Sequence, residues 1–183
     1  MKRNLIPIND FVLPAIELWT ERWMLLAAGN RAPGQFNIMT VAWGSFGVMW
    51  SKPFVMVAVR PTRHTYGFME KSASFSVSVL PLEFRDKMLF CGSHSGKDVD
   101  KVKACGFAVV PLDHVEAPGF DEAELTVECR KMYADDFSPA QFLIPEIATN
   151  YKENDYHRMY FGEILAIHGT DAYVRKDAGS KKV

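Results

Sequence analysis

The chain has 183 residues, of which 48% are hydrophobic and 23% charged, and its net charge is −1. This length suits one domain with its own core, and the near-zero charge excludes a broad positive field for nucleic acid or anionic membranes. Any phosphate recognition by this chain must therefore be local.

The cysteines and the N-terminal segment indicate a compartment. Cys91, Cys105 and Cys129 are widely spaced, without a CxxC pair, so they predict neither a disulfide framework nor a closed zinc site. The N-terminal segment lacks the apolar core of a signal peptide, and the longest apolar run, residues 54–59, is too short to span a bilayer. We predict one cytoplasmic domain over residues 1–183, with an N-terminal extension (about 1–20) and a flexible C-terminal tail (about 176–183).

The first half of the chain predicts strands around one short helix. Residues 21–29 and 36–43 are apolar segments joined by a Gly- and Pro-punctuated turn, which predicts a hairpin. Residues 54–59 predict a central strand buried on both faces, and a short helix is expected to begin near His64, capped by a neighbouring threonine. Apolar and serine positions alternate over residues 75–80, which predicts a half-buried strand.

Residues 36–50 are predicted to form one long strand with two unlike faces. Side chains alternate along a strand, so the small residues share one face and the bulky residues share the other. The small face would be Thr40, Ala42 and Gly44, and the bulky face Met39, Val41 and Trp43. A small face permits close approach of a flat ligand to the backbone, whereas the structural alternative is a buried strand at a barrel corner.

The second half predicts further short helices and strands. Helices are expected over residues 82–90, ending at Cys91 and Gly92, and between an Asp98 cap and a Gly106 stop. A third helix is predicted over residues 138–147. Strands are expected at residues 113–117, 124–134, 160–168 and 172–175. Many strands with a few short peripheral helices predict a mostly β fold, a β-barrel.

The motif RPTRHTY at residues 60–66 combines two guanidiniums with hydroxyls at a strand end and a predicted helix N-terminus. Arginine forks, helix amides and hydroxyls are donors that suit a phosphate dianion. The alternative is a solvated turn with a helix cap.

The motif CGSHSGKDVDK at residues 91–101 has glycines that free the backbone and side chains that can contact a polar ligand tail. Neither GxxxxGK[ST] nor GxGxxG spacing is present. Cys91 and His94 have CxxH spacing, but no second ligand pair accompanies them, so no metal site is predicted. No neighbouring base is placed to activate Cys91, and a buried thiol is its commoner role.

Together with NxMTxxW at residues 37–43, these motifs resemble the flavin reductase-like, FMN-binding split-barrel family, which includes flavoredoxins and flavin reductase components. The similarity covers residues 23–107, with an echo at residues 155–164. It implies a split β-barrel, a homodimer with FMN at its interface, and NADH or NADPH as co-substrate. The residues it assigns to the flavin are Asn37, Met39, Thr40, Ala42, Trp43, Arg63, His64, Thr65, Tyr66, Cys91, Gly92, Ser95, Gly96 and Lys97.

The same resemblance places His157 beside the nicotinamide, where it is a candidate proton donor because histidine titrates near neutrality. Flavin itself accepts hydride, so no acid–base dyad is required. The alternative function is a flavoredoxin-like electron carrier with tightly bound FMN and a protein redox partner. A third alternative is a split barrel that binds another planar ligand, such as haem, or no ligand.

Overall fold

The computed structural model describes residues 2–176, and within them most regular structure is β. The strands are β1 (Asn4–Leu5), β2 (Met24–Gly29), β3 (Phe36–Val41), β4 (Gly44–Met49), β5 (Lys52–Val59), β6 (Ser74–Val79), β7 (Val109–Val110), β8 (Gly119–Phe120), β9 (Leu125–Asp136) and β10 (Arg158–Gly169). The helices are α1 (Ala15–Glu17), continued by a π-helical turn (Leu18–Arg22), α2 (His64–Lys71), α3 (Arg85–Ser93) and α4 (Lys101–Cys105). Short 3-10 turns occupy Ile8–Asp10, Leu82–Phe84, Pro139–Gln141, Pro145–Asn150 and Asp171–Tyr173.

The main sheet curls because its two ends are neighbours in sequence. Its strand order is β3-β2-β6-β9-β10-β5-β4, with β1 added on β10. Strands β3 and β4 lie at opposite ends of this order, yet only Ala42 and Trp43 separate them in the chain. The sheet therefore closes on itself at this link, which we call the seam, and the Trp43 carbonyl there accepts a hydrogen bond from the amide of Ala58 at 3.1 Å.

Two apolar cores explain why so many strand positions are buried. The barrel core contains Leu26, Val77 and Tyr160, and a second core lies between the sheet and helices α3 and α4, around Leu25 and Met88. Strand β2 contributes to both, which agrees with its apolar run. The segment predicted as an N-terminal extension also reaches the barrel core, where Ile6 and Leu18 are buried.

The mostly β prediction is confirmed, and so are the 21–29/36–43 hairpin, the β5 strand, the start of α2 at His64 and the stop at Gly106. Strands β9 and β10 also match predicted segments. The structure places Asp100, not Asp98, at the N-cap of α4, where its carboxylate accepts from the Lys103 amide at 3.0 Å.

Several predicted elements are wrong. Residues 36–50 form two strands, because the chain bends at the seam. Residues 113–117 form no strand; the short strands β7 and β8 lie before and after them and pair with each other. The predicted 138–147 helix is two 3-10 turns. The predicted 172–175 strand is a 3-10 turn followed by an isolated bridge. Helix α3 runs through the predicted loop start to Ser93, so Cys91 and Gly92 are helical.

Strand β6 is fully rather than half buried along its alternating positions, because the second core covers its other face. Ser76 and Ser78 are both 0% exposed. Their hydroxyls are satisfied internally: Ser76 donates to the Pro118 carbonyl at 2.6 Å, and Ser78 lies 3.2 Å from the hydroxyl of Thr126. Short hydroxyls can occupy a core at little cost when they find such partners.

Within residues 2–176, none of the helices combines the length and apolar character needed to cross a membrane. The predicted C-terminal tail lies outside the described residues except for Lys176.

Candidate functional site

A cavity of about 400 Å³ lies at the seam, and we call it the Trp43 cavity. Strand β3 and the link after it form one wall, and the end of β5 with the following turn forms the other. Its lining residues are Met39, Thr40, Val41, Ala42, Trp43, Ala58, Arg60, Thr62, Arg63, Asp155 and His157.

Trp43 lines this cavity, which corrects its predicted place on the bulky face of the strand beside Met39 and Val41. Its side chain is 46% exposed, and its ring centroid lies 4.8 Å from that of His157. The bend after β3 turns Trp43 away from the bulky face, where Met39 and Val41 do pack into the barrel core. Gly44 is also misplaced by the prediction: a methyl group there would lie 2.2 Å from the Met56 carbonyl oxygen, so that side faces protein backbone.

A smaller pocket of about 90 Å³, the Lys101 pocket, shares Met39, Thr62 and Arg63 with the Trp43 cavity. Lys101 is only 4% exposed, and its ammonium donates one described hydrogen bond, to the Cys91 carbonyl at 3.1 Å. Burial lowers the Lys101 pKa, and the nearby Arg63 guanidinium lowers it further. An ammonium has three donors, so this buried group retains capacity for an anionic ligand.

The N-terminus of helix α2 opens at the same pocket. Arg63 occupies the N-cap without a side-chain capping bond, and its guanidinium donates to the Gly92 carbonyl at 3.0 Å. The predicted threonine cap is absent, because Thr65 lies inside the helix. First-turn amides lack intrahelical partners and carry the positive end of the helix dipole, so this end favours an anion.

Asn37, Thr65 and Gly96 meet at the edge of the pocket. The Asn37 amide donates to the Thr65 hydroxyl at 2.7 Å, and Thr65 is 1% exposed. A methyl group on Gly96 would lie 2.1 Å from the Asn37 amide oxygen, so glycine is needed for this approach. These three predicted residues are thus brought together as the frame of the pocket.

His64, Ser95 and Lys97 occupy the outer flank. Burial lowers the His64 pKa, with Lys97 and Lys101 adding to the effect. Ser95 accepts from the Lys97 amide at 3.2 Å. The Lys97 side chain is exposed and lines a neighbouring groove of about 480 Å³, which also touches His64, Gly96 and Lys101.

Two predicted contacts are not supported by the positions of the side chains. Tyr66 packs beside the barrel core, with its ring centroid 6.4 Å from that of Tyr160. The Cys91 thiol lies in the second core, 3.7 Å from the sulfur of Cys105, and burial raises the Cys91 pKa to about 12. Cys91 reaches the pocket through its carbonyl, while the helical Gly92 packs toward Thr40.

His157 lies on the far wall of the Trp43 cavity and is 8% exposed. Its Nδ1 lies 3.0 Å from the Tyr151 hydroxyl, and Arg60 and Asp155 form a 2.7 Å ion pair on the same wall. Burial, reinforced by the Arg60 charge, lowers the His157 pKa to about 4. The ring is therefore neutral at pH 7, which removes the near-neutral titration on which its predicted proton-donor role depended.

This lowered pKa predicts acid sensitivity of the fold. Below pH 6.5 the unfolded chain protonates His157, whereas the folded protein does so only near pH 4, so stability is lost as pH falls through that window. Roughly 2 kcal/mol should be lost between pH 6.5 and 5 from this group. Urea unfolding of the wild type and His157→Gln at both pH values measures it, and equal pH slopes would contradict it.

Three residues of the site, Lys101, Asp155 and Tyr151, were not predicted from the sequence. A signal for Lys101 was available: Lys101 and Cys105 are four residues apart, so a helix places them on one face, and the cysteine marks that face as buried. Asp155 and Tyr151 lie in the irregular segment between β9 and β10, where no periodic pattern predicts which way a side chain points.

The model of the flavin reductase like domain matches residues 21–177. The chain belongs to this flavin reductase-like family. This confirms the family that the three motifs predicted.

Solved structures agree with this family. A flavoredoxin from Methanosarcina acetivorans is 26% identical, with a TM-score of 0.65 over 95% of this chain and 78% of that chain. An FMN-binding protein from Thermus thermophilus is 24% identical, with a TM-score of 0.62 over 85% and 75%. A Shewanella frigidimarina protein with a split barrel domain is 16% identical, with a TM-score of 0.66 over 85% and 70%. The flavin reductase-like chain thus has the predicted split-barrel fold.

Proposed function

We propose that the protein binds FMN and passes hydride to it from NADH or NADPH. The observation that carries the proposal is the buried Lys101 ammonium, in a pocket that shares Met39, Thr62 and Arg63 with the Trp43 cavity. A flat ring system with an anionic tail fits this pair of adjoining spaces. Similarity to a flavoredoxin and to an FMN-binding protein supports the choice of flavin.

Different residues of the site would contact the phosphate, the ring and the ribityl chain of FMN. Lys101, Arg63 and the α2 N-terminus would hold the phosphate, since charge-assisted donors in a water-poor pocket bind anions strongly. Thr40, Ala42 and Trp43 would lie against the ring, with Met39 beneath them in the barrel wall. Asn37, Thr65 and Gly96 would hold the ribityl side at the pocket's edge, next to His64 and Ser95.

The bound flavin would supply hydride acceptance, while the protein positions both partners and limits water. Trp43 is the exposed member of the Trp43–His157 pair, at 46% exposure, so we propose that the nicotinamide enters the cavity beside Trp43, with His157 behind it. Neutral His157, held by Tyr151, would serve as a hydrogen-bond partner rather than as an imidazolium acid. Its preset orientation would favour one face of the nicotinamide.

We also propose a homodimer in a reducing cytosol. Val48, Met49 and Trp50, at the tip of the β4–β5 hairpin, are 72%, 40% and 58% exposed, an apolar group that a second copy could cover. The thiols of all three cysteines are free and buried, as suits a reducing compartment. Light scattering on the eluted protein should give about twice the 20.7 kDa chain mass.

A rapid-kinetic experiment separates the reductase from the alternative of an electron carrier that depends on a protein partner. FMN-loaded protein is mixed anaerobically with NADH or NADPH, and bleaching of the flavin absorbance is followed. Bleaching that saturates with nicotinamide concentration supports the reductase. Reduction by dithionite but not by either nicotinamide would favour the carrier, for which the similarity to a flavoredoxin is the supporting observation.

A further inference from the structure

Three potential metal ligands meet at the end of the barrel away from His157. Asp113 lies between β7 and β8, Glu128 lies within β9, and His168 is the penultimate residue of β10. In the β9–β10 register Glu128 pairs with Ala166 and His168 with Thr126, so Glu128 and His168 are diagonal neighbours on one face. One ligand atom from each of the three lies within 4.8 Å of the others.

Glu128 is the unusual member of this cluster. It is 0% exposed, and its Oε2 accepts from the His114 amide at 2.7 Å. Its Oε1 is buried and accepts no hydrogen bond within the described residues, while His168 Nε2 lies 3.4 Å away. A carboxylate oxygen buried without a donor is costly, so it favours a cation in front of it.

The cluster borders a cavity of about 410 Å³, which gives a small ion access from solvent. Lys2 and Arg3 line the same cavity. Arg3 is already engaged, since its Nη1 donates to the Phe120 and Ala123 carbonyls at 2.7 and 3.0 Å. Within residues 2–176, neither of these cations forms an ion pair with Asp113 or Glu128.

We propose that Asp113, Glu128 and His168 form a site for a divalent transition-metal ion, with Zn²⁺ preferred over Mn²⁺ and Mg²⁺. Imidazole suits borderline ions, carboxylates complete the ligand set, and zinc commonly takes three protein ligands and one water. The spacing of residues along the sequence does not indicate this metal site, because its three ligands come from separate segments of the chain. The ion would tie the loop after β7 to the sheet, a role independent of the proposed flavin chemistry.

Chelator-treated protein titrated with ZnCl₂ tests the proposal through its melting temperature and through equilibrium dialysis. At about 100 times the dissociation constant, Zn²⁺ should raise the melting temperature by roughly 5–10 °C, with one ion bound per chain. Asp113→Asn and His168→Gln should each weaken Zn²⁺ binding at least about tenfold. Asp121→Asn is the matched control, because it removes an exposed carboxylate just after β8, and it should bind like the wild type.

The proposal is overturned if wild-type protein binds no Zn²⁺ below about 100 μM. It is also overturned if Asp113→Asn and Asp121→Asn bind alike, or if the Asp113→Asn/His168→Gln double variant keeps full affinity. In that last case the ion sits elsewhere, for example at the Cys91 and Cys105 sulfurs. Asp113 is exposed and His168 half-buried, so both single variants are expected to fold.

Discussion

Replacing Lys101 with Met should weaken FMN binding by roughly 10- to 100-fold, while riboflavin binding changes less than about threefold. A hydrogen bond to a charged group contributes about 1.5–3 kcal/mol, and Lys101 is buried where the phosphate is proposed to lie. Riboflavin lacks the phosphate, so it should not detect the loss. Methionine keeps most of the volume of the lysine stem and removes the charge. Flavin fluorescence titration with both ligands measures the two affinities.

Lys103→Met is the matched control for this experiment. Lys103 is on the same helix, two residues further on, and its side chain is exposed. It should leave both affinities unchanged. Arg63→Gln should resemble Lys101→Met in direction, since Arg63 lines the same pocket. Equal losses for FMN and riboflavin in the Lys101 variant would move the phosphate site elsewhere.

Gly162→Ala should destabilise the fold by about 2–3 kcal/mol and lower the melting temperature by roughly 5–10 °C. Gly162 follows a register shift in β10, and a methyl group there would lie 2.5 Å from the Phe75 ring and 2.7 Å from the Cys129 Cβ. Both neighbours are 0% exposed, so neither has space to move into. Calorimetry or urea unfolding of the variant measures the loss.

Gly67→Ala, also a glycine-to-alanine substitution, should stabilise the fold instead of destabilising it. Gly67 lies within α2, and a methyl group there would have no contact closer than 4 Å. Alanine should stabilise the helix by about 0.5–1 kcal/mol, because glycine loses more backbone entropy on folding. Destabilisation by Gly67→Ala would contradict the open surroundings described for Gly67, and a Gly162→Ala variant as stable as the wild type would contradict the packing described around Gly162.

The sequence predicted the elements that local patterns determine. Apolar runs and turn residues located β2, β3 and β5, and the order of the three motifs indicated the family. The seam was missed because the run across Ala42 and Trp43 continues without proline or charge. The bend there is set by closure of the sheet, as the pairing of β4 with β5 and of β3 with β2 requires.

Site residues could be predicted where they belong to one of the three sequence motifs and also contact one another. Asn37, Thr65 and Gly96 are the examples. Trp43 was predicted on the bulky face of the strand, because the alternation of side chains was assumed to continue through the bend after Val41. Lys101 was missed because a lysine in a charged segment normally indicates a solvated position, and only the packing of α4 on α3 buries it. Tyr66 was assigned to the ligand from its position in the motif, whereas the helix turns it toward the barrel core.

The most direct test is the absorption spectrum of FMN-loaded protein before and after anaerobic addition of NADH or NADPH. The proposed function predicts a bound-flavin spectrum that bleaches with either nicotinamide and returns when air is admitted. Lys101→Met should show little bound flavin at the same concentrations, whereas Lys103→Met should match the wild type. Absence of flavin binding at micromolar FMN, or a bound flavin that neither nicotinamide reduces, would contradict it.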